Sequence, residues 1–254
     1  MSTDTDWEKW GKSSPYYGVL SNEKFTGQTI SDSLADQFYA SGQNDVANAI
    51  KMIKAMHNGT LPQFKRAVDF GCGVGRITVP LAQHAKKTTG LDISPSMLEA
   101  ARQNLPATLR KRITYETSDS NLTALPKQYD LVYSNIVLQH IPTKRGYRII
   151  SKLLDNLERQ GFAALHVTYA HQAPRLKRFT ITLRSHVQIV HYTLNALRGR
   201  QVLTPLMRMH LYDLDAVLSL FYDSGIQEVT VALTNHGGYL GAMIIGQKTA
   251  DDKS

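Results

Sequence analysis

A chain of 254 residues, 42% of them hydrophobic, can bury one full core with appended segments, and its single cysteine, Cys72, excludes an intrachain disulfide framework and a cysteine-rich metal site. Lys and Arg outnumber Asp and Glu by 29 to 21, a formal charge of +8 that favours anionic partners without choosing among RNA, anionic lipid and acidic glycan. No stretch approaches the ~18 consecutive apolar residues of a membrane span, and the first residues lack the basic start and apolar run of a signal peptide. A cytoplasmic protein with at most peripheral membrane contact is expected.

Residues 1–43 read as an irregular, aromatic-rich arm. Trp7, Trp10, Tyr16, Tyr17, Phe25, Phe38 and Tyr39 make it too apolar for a disordered tail, so it should pack across something. From residue 44 the chain reads as one domain. "NDVANAIKMIKAM" (44–56) carries Val46, Ala49, Ile50 and Ile53 at helical spacing. Strands and helices then alternate: strand 66–70, helix 75–85, strand 88–93, helix 94–105 with Ser94 as cap and Pro95 at its first position, strands 112–117 and 129–135, helix 143–157, strand 161–169. Such alternation predicts a parallel sheet covered by helices on both faces. A basic stretch, about 171–210, follows as an insertion above the sheet. A helix (212–225) and strands at 226–233 and 240–248 complete the chain, with Gly237 and Gly238 tightening the last turn into an antiparallel pair.

"VDFGCGVGRI" (68–77) joins the first strand to its helix through three glycines. Such a turn marks close backbone approach by a ligand at the carboxyl end of the strand. The dinucleotide pattern fails, because Arg76 stands where its third glycine belongs. Asp69 would also repel a pyrophosphate. A cationic ligand removes that conflict: S-adenosylmethionine carries a sulfonium and an ammonium and no phosphate. Asp92, ending the second strand, can accept both hydroxyls of a ribose. Ile93 and Met97 would flank the adenine, Asp119 would take its amino group with the Ser120 amide near a ring nitrogen, and Asn135 would lie near the methionine end.

"VDFGCGVGR", "GLDIS", "SDSNLTALP" and "YDLVYSNIVLQHIP", in this order, resemble the motifs of class I S-adenosylmethionine-dependent methyltransferases over residues 44–169. The resemblance implies a doubly wound α/β, Rossmann-like sheet of seven strands in the order 3-2-1-4-5-7-6, with the last strand antiparallel. It implies S-adenosyl-L-methionine as cofactor and S-adenosyl-L-homocysteine as product. It carries cofactor roles onto Asp69, Gly71, Gly73, Asp92, Ile93, Asp119 and Ser120, with Cys72 as the small residue inside the loop. One departure is visible: Gly161 stands alone in "ERQGF" where many relatives have Pro-Gly-Gly before the fifth strand.

His140, just past the fourth strand, is the candidate base for an attacking hydroxyl; a backbone hydrogen bond is the plainer role for it, and methyl transfer by positioning alone needs no base. The histidines at 166, 171, 186, 191, 210 and 236 lack a metal-ligand spacing, so no metal is expected; His171 and His236 would stand at the rim of the site. The acceptor is expected to be a hydroxyl of a sugar, glycan or other small molecule, carrying negative charge if the basic lid recognises it. A lipid or quinone, an RNA, and a non-catalytic cofactor-binding role stay as alternatives, nucleic acid being the less favoured because nothing resembles an RNA-binding module. The aromatic arm is expected to close over the cofactor.

Overall fold

The computed structural model describes residues 3–172 and 207–249. Most of the basic insertion expected at 171–210 therefore lies outside the described residues. Helices α1 (Thr3–Ser13) and α2 (Pro15–Leu20) lead to a long α3 (Asp32–Met56). Then follow β1 (Phe64–Phe70), α4 (Thr78–Leu81), β2 (Ala85–Asp92), α5 (Pro95–Gln103), β3 (Ile113–Thr117), β4 (Tyr129–Ser134), α6 (Thr143–Asp155) and β5 (Leu157–His171). After the insertion come α7 (Leu214–Asp223), β6 (Val229–His236) and β7 (Tyr239–Gln247).

The strands form one seven-stranded sheet in the order β3-β2-β1-β4-β5-β7-β6. The pairs β1–β2, β1–β4, β2–β3 and β4–β5 are parallel, whereas β7 runs antiparallel to both β5 and β6. This is the doubly wound architecture and strand order expected from the sequence. Alternation along each strand feeds two cores. Val68, Val132, Leu165 and Ile244 pack on one face with Ile150 and Leu153 of α6 and Phe221 of α7. Ala67, Leu131, Phe162 and Ile245 pack on the other with Val46, Ala49 and Ile53 of α3. The parallel strands end together, Asp69 lying opposite Gly90 on one side and Tyr133 on the other, so their carboxyl ends share one crevice.

Three local expectations change. The arm is helical rather than irregular, because its rings have a partner: Trp10, Tyr16, Phe25 and Phe38 bury together with Val74 and Met97. For the same reason α3 begins at Asp32 instead of residue 44; Phe38 is fully buried and continues the apolar stripe one turn at a time through Gly42 and Val46. Helix 75–85 shrinks to four residues, since Gln83 and His84 close tight turns on Pro80 and Leu81 and Ala85 already pairs with Phe64 in the sheet. At the departure before the fifth strand, β5 starts early at Leu157 and slips register against β4, with Gln160 in the left-handed region at φ 61 and Gly161 wedged against the Glu158 carbonyl.

Candidate active site

The glycine loop is shaped by its neighbours. Gly71 has φ 75, and a Cβ there would lie 2.3 Å from Val137 Cγ1, so both the backbone and the space demand glycine. The Gly71 and Cys72 amides both donate to the Leu91 carbonyl, which bends the loop over the end of β2. Across the turn, the Gly73 amide donates to Asp92 Oδ2 at 2.8 Å and the Ser94 amide to Asp92 Oδ1 at 2.9 Å. Burial raises the Asp92 carboxyl above its ordinary range, and the Ser94 and Gly73 amides work against that rise.

These elements bound a cleft of about 790 Å³, counting the part open to solvent. It is concave and mostly apolar with a few polar groups converging on it, as small-molecule sites are. The loop and strand ends contribute Gly71, Gly73, Asp92 and Ile93; α5 contributes Met97; the turn after β3 contributes Ser118 and Asp119. From the segment after β4 come Asn135, Ile136, Val137, His140 and Ile141, and from the arm Asp4, Trp7, Gly18 and Val19. The arm thus roofs the cleft. Trp7 meets the His140 ring edge-on at 4.9 Å between centroids, and the Asp4 carboxylate pairs with Arg145 Nη1 of α6 at 2.7 Å.

Of the residues singled out in the sequence, Gly71, Gly73, Asp92, Ile93, Met97, Asp119, Asn135 and His140 meet at this cleft. Asp119 holds its own turn, accepting from the Asn121 and Thr123 amides and the Thr123 hydroxyl, and those Thr123 bonds pull its carboxyl below the ordinary range. The Asn135 amide nitrogen donates to Asp45 Oδ2 at 3.0 Å, beside the buried Arg76 guanidinium, which pairs with the same oxygen at 2.7 Å.

Other residues fall outside it. Asp69 lies beneath the loop, buried, accepting the Thr78 hydroxyl at 2.6 Å; burial raises its carboxyl to about 7, with Thr78 and Arg76 opposing. Cys72 turns its sulfur away from the cleft into a cluster with Leu98, Ile113 and Tyr115, where burial raises the thiol, so it contributes packing and no surface to a ligand. Ser120 does not line the cleft, because the turn anchored by Asp119 carries it to the outside. His171 and His236, at the ends of β5 and β6, do not line the cleft; they meet Tyr239 and His166 edge-on, at 4.1 and 5.3 Å between ring centroids. Among the described residues no group of three His, Cys, Asp or Glu could hold a metal ion, and no helix is long and apolar enough to cross a membrane.

His140, the candidate base, is held through both ring nitrogens. Its Nδ1 lies 2.9 Å from the Arg208 carbonyl, which can only accept, so Nδ1 carries the proton. Nε2 is then the acceptor, and the Gln139 amide nitrogen stands 3.3 Å from it, while Gln139 Oε1 accepts the Thr168 hydroxyl at 2.6 Å. Burial pushes the imidazole down to about 4. A ring so held is neutral and weakly basic at neutral pH.

Two features escape sequence reasoning. Ile136, a β-branched residue lining the cleft, has φ 54, a strained conformation no local pattern announces. Glu8, on α1, reaches the start of α5, and only the tertiary fold brings them together.

Residues 67–161 match a family model described as a methyltransferase domain. Trans-aconitate 2-methyltransferase of Deinococcus radiodurans is 34% identical over 122 residues, covering 47% of this chain and 44% of that protein. Magnesium-protoporphyrin O-methyltransferase of Rhodobacter capsulatus is 28% identical over 134 residues, covering 50% and 57% respectively. The chain thus spans about half the length of these curated relatives. Among solved structures, magnesium protoporphyrin IX methyltransferase from Synechocystis with bound S-adenosylhomocysteine superposes at a TM-score of 0.62 with 21% identity, covering 96% of this chain and 99% of that one. At that identity the likeness is one of fold.

Proposed function

Residues 67–161 form a class I S-adenosylmethionine-dependent methyltransferase domain, and from that premise we propose that the chain transfers a methyl group from S-adenosylmethionine to an oxygen of a small-molecule acceptor. The observation that carries this reading is the Gly73–Asp92 bond, which sets an acid and a backbone cradle at the mouth of one cleft. The residues fit such a cofactor. Gly71 and Gly73 present bare backbone to the cleft, where the methionine part could approach closely, Asp92 can accept ribose hydroxyls, and Ile93 and Met97 offer apolar surface to an adenine. Asp69, under the loop, would in its ionised form favour a cationic ligand through its field rather than by contact.

When bound, S-adenosylmethionine supplies a methyl group activated by its sulfonium centre and is left as S-adenosylhomocysteine. The chain's own contribution is orientation and exclusion of water. Asn135, held by Asp45, fixes the turn after β4, and His140 braces Trp7 beneath the arm. With His140 neutral and both its ring nitrogens engaged, we read it as a positioning residue.

The specific acceptor proposed is a hydroxyl, as on a sugar. The segment after β4 lacks the Asn/Asp-Pro-Pro-aromatic motif of nucleic-acid and glutamine amino methylases, reading Asn135, Ile136, Val137 instead. The relatives' names, magnesium-protoporphyrin O-methyltransferase and trans-aconitate 2-methyltransferase, support a small molecule as acceptor. Methyl-labelled S-adenosylmethionine, incubated with source-cell extract and then fractionated, tests the reading, with Asp92→Ala as blank. Alkali-stable label in the small-molecule fraction is expected. Label in RNA, lipid or protein would overturn the acceptor assignment.

A further inference from the structure

Helix α1 does more than cover the cleft: it reaches the residue that holds the acid of β2. Glu8 Oε2 accepts the Ser94 hydroxyl at 2.7 Å and the Ser96 amide at 3.2 Å, while Oε1 accepts the Ser96 hydroxyl at 2.7 Å. Lys12, one turn along α1, lies 3.4 Å from Oε1. The two helices meet closely, since a Cβ on Gly11 would stand 2.5 Å from Ser94 Oγ. Ser94 is the hinge of the arrangement. Its hydroxyl accepts the Met97 amide at 3.2 Å as the cap of α5, and its own amide donates to Asp92 Oδ1. An unbroken path therefore runs from Glu8 through Ser94 to Asp92 and on to the Gly73 amide.

We propose that Glu8 is a positioning residue for cofactor recognition, acting through Ser94 to hold Asp92 in the orientation that receives the ribose and so joining closure of the arm to occupancy of the cleft. The proposal rests on the cofactor reading above. A carboxylate at the start of α5 would also favour the helix dipole by itself. That simpler role predicts a loss of stability and nothing more. The positioning role predicts in addition that the Glu8 effect passes through Asp92. Burial tends to raise the Glu8 carboxyl, but the Ser96 and Ser94 bonds outweigh it and leave it lowered, so the group is an ionised acceptor at neutral pH.

The test is calorimetric binding of S-adenosylhomocysteine to the full chain and to Glu8→Ala, Glu8→Gln, Asp92→Asn and the Glu8→Ala/Asp92→Asn pair, with thermal melts of each. Glu8→Ala should weaken binding about 10-fold, the magnitude of one charge-assisted hydrogen bond. Glu8→Gln, which keeps an acceptor oxygen, should recover most of that loss. In the Asp92→Asn background, Glu8→Ala should change affinity less than about 2-fold, because the carboxylate that Glu8 orients toward the ribose is already gone. Two independent, multiplying losses would overturn the positioning role, as would a lowered melting temperature with unchanged affinity. Should Glu8→Ala fail to fold, Ser96→Ala removes one of its bonds and should weaken binding in the same direction; unaltered affinity there overturns the proposal. Absence of binding to the unaltered protein would instead overturn the cofactor reading itself.

Discussion

Gly73 donates its amide to Asp92 Oδ2 at 2.8 Å, tying the loop after β1 to the acid that ends β2. Two strand ends are thereby fixed against each other before any ligand arrives. A site built in this way loses little free energy to ordering when it binds.

The loop should tolerate no side chain at Gly71. Its φ is 75, and a methyl group added there would meet Val137 at 2.3 Å. Gly71→Ala is therefore expected to cost about 1–3 kcal/mol in stability from backbone strain and overpacking. It should also abolish cofactor binding. Chemical denaturation and calorimetry check the two effects separately.

The arm should be part of the folding unit. Phe38 is fully buried and packs edge-on against Tyr16, Phe25 and Tyr39. Phe38→Ala is expected to destabilise the protein by about 3–5 kcal/mol, read as a single shifted unfolding transition in urea. A separate early transition with the main one unmoved would mean that the arm folds independently of the sheet.

Asp69 should make the ligand-free protein less stable as pH rises. Its folded-state pKa, about 7, exceeds the ordinary 3.8. The folded state therefore binds the extra proton between these values, and stability falls as pH rises through that window, levelling off above about 7. Asp69→Asn, which keeps an oxygen for the Thr78 hydroxyl, should flatten the slope between pH 4 and 7. Above pH 7 it should raise stability by a few kcal/mol, each unit of pKa shift being worth about 1.4 kcal/mol. Denaturant titrations across that range measure both.

His140 should leave no titration in the rate. With the imidazole at about 4 and its nitrogens engaged, kcat/KM between pH 5.5 and 8 should show no ascending limb near 6.5 that His140→Asn removes. Such a limb, lost in the variant, would restore the base role.

The strand order and the cleft are legible in the sequence because each has a local signature. Buried strands show as apolar runs, and Gly71, Gly73 and Asp92 stand where a turn or a strand end requires them. What stays hidden depends on contacts remote in sequence. The arm reads as irregular because its helices owe their stability to Phe38 and Met97 rather than to their own periodicity. Asp69 reads as a ligand contact, yet the Thr78 hydroxyl draws it beneath the loop. His140 reads as an available base, yet Arg208 and Gln139 close on its two nitrogens.

Binding of S-adenosylmethionine in this cleft through Asp92 is the property on which every other functional statement depends. Calorimetric titration of the purified protein with S-adenosylhomocysteine, repeated on Asp92→Ala of matched melting temperature, tests it most directly. One ligand per chain at a micromolar Kd, weakened by at least about 10-fold in the variant, is the predicted result. No binding, or equal binding by both proteins, would contradict it.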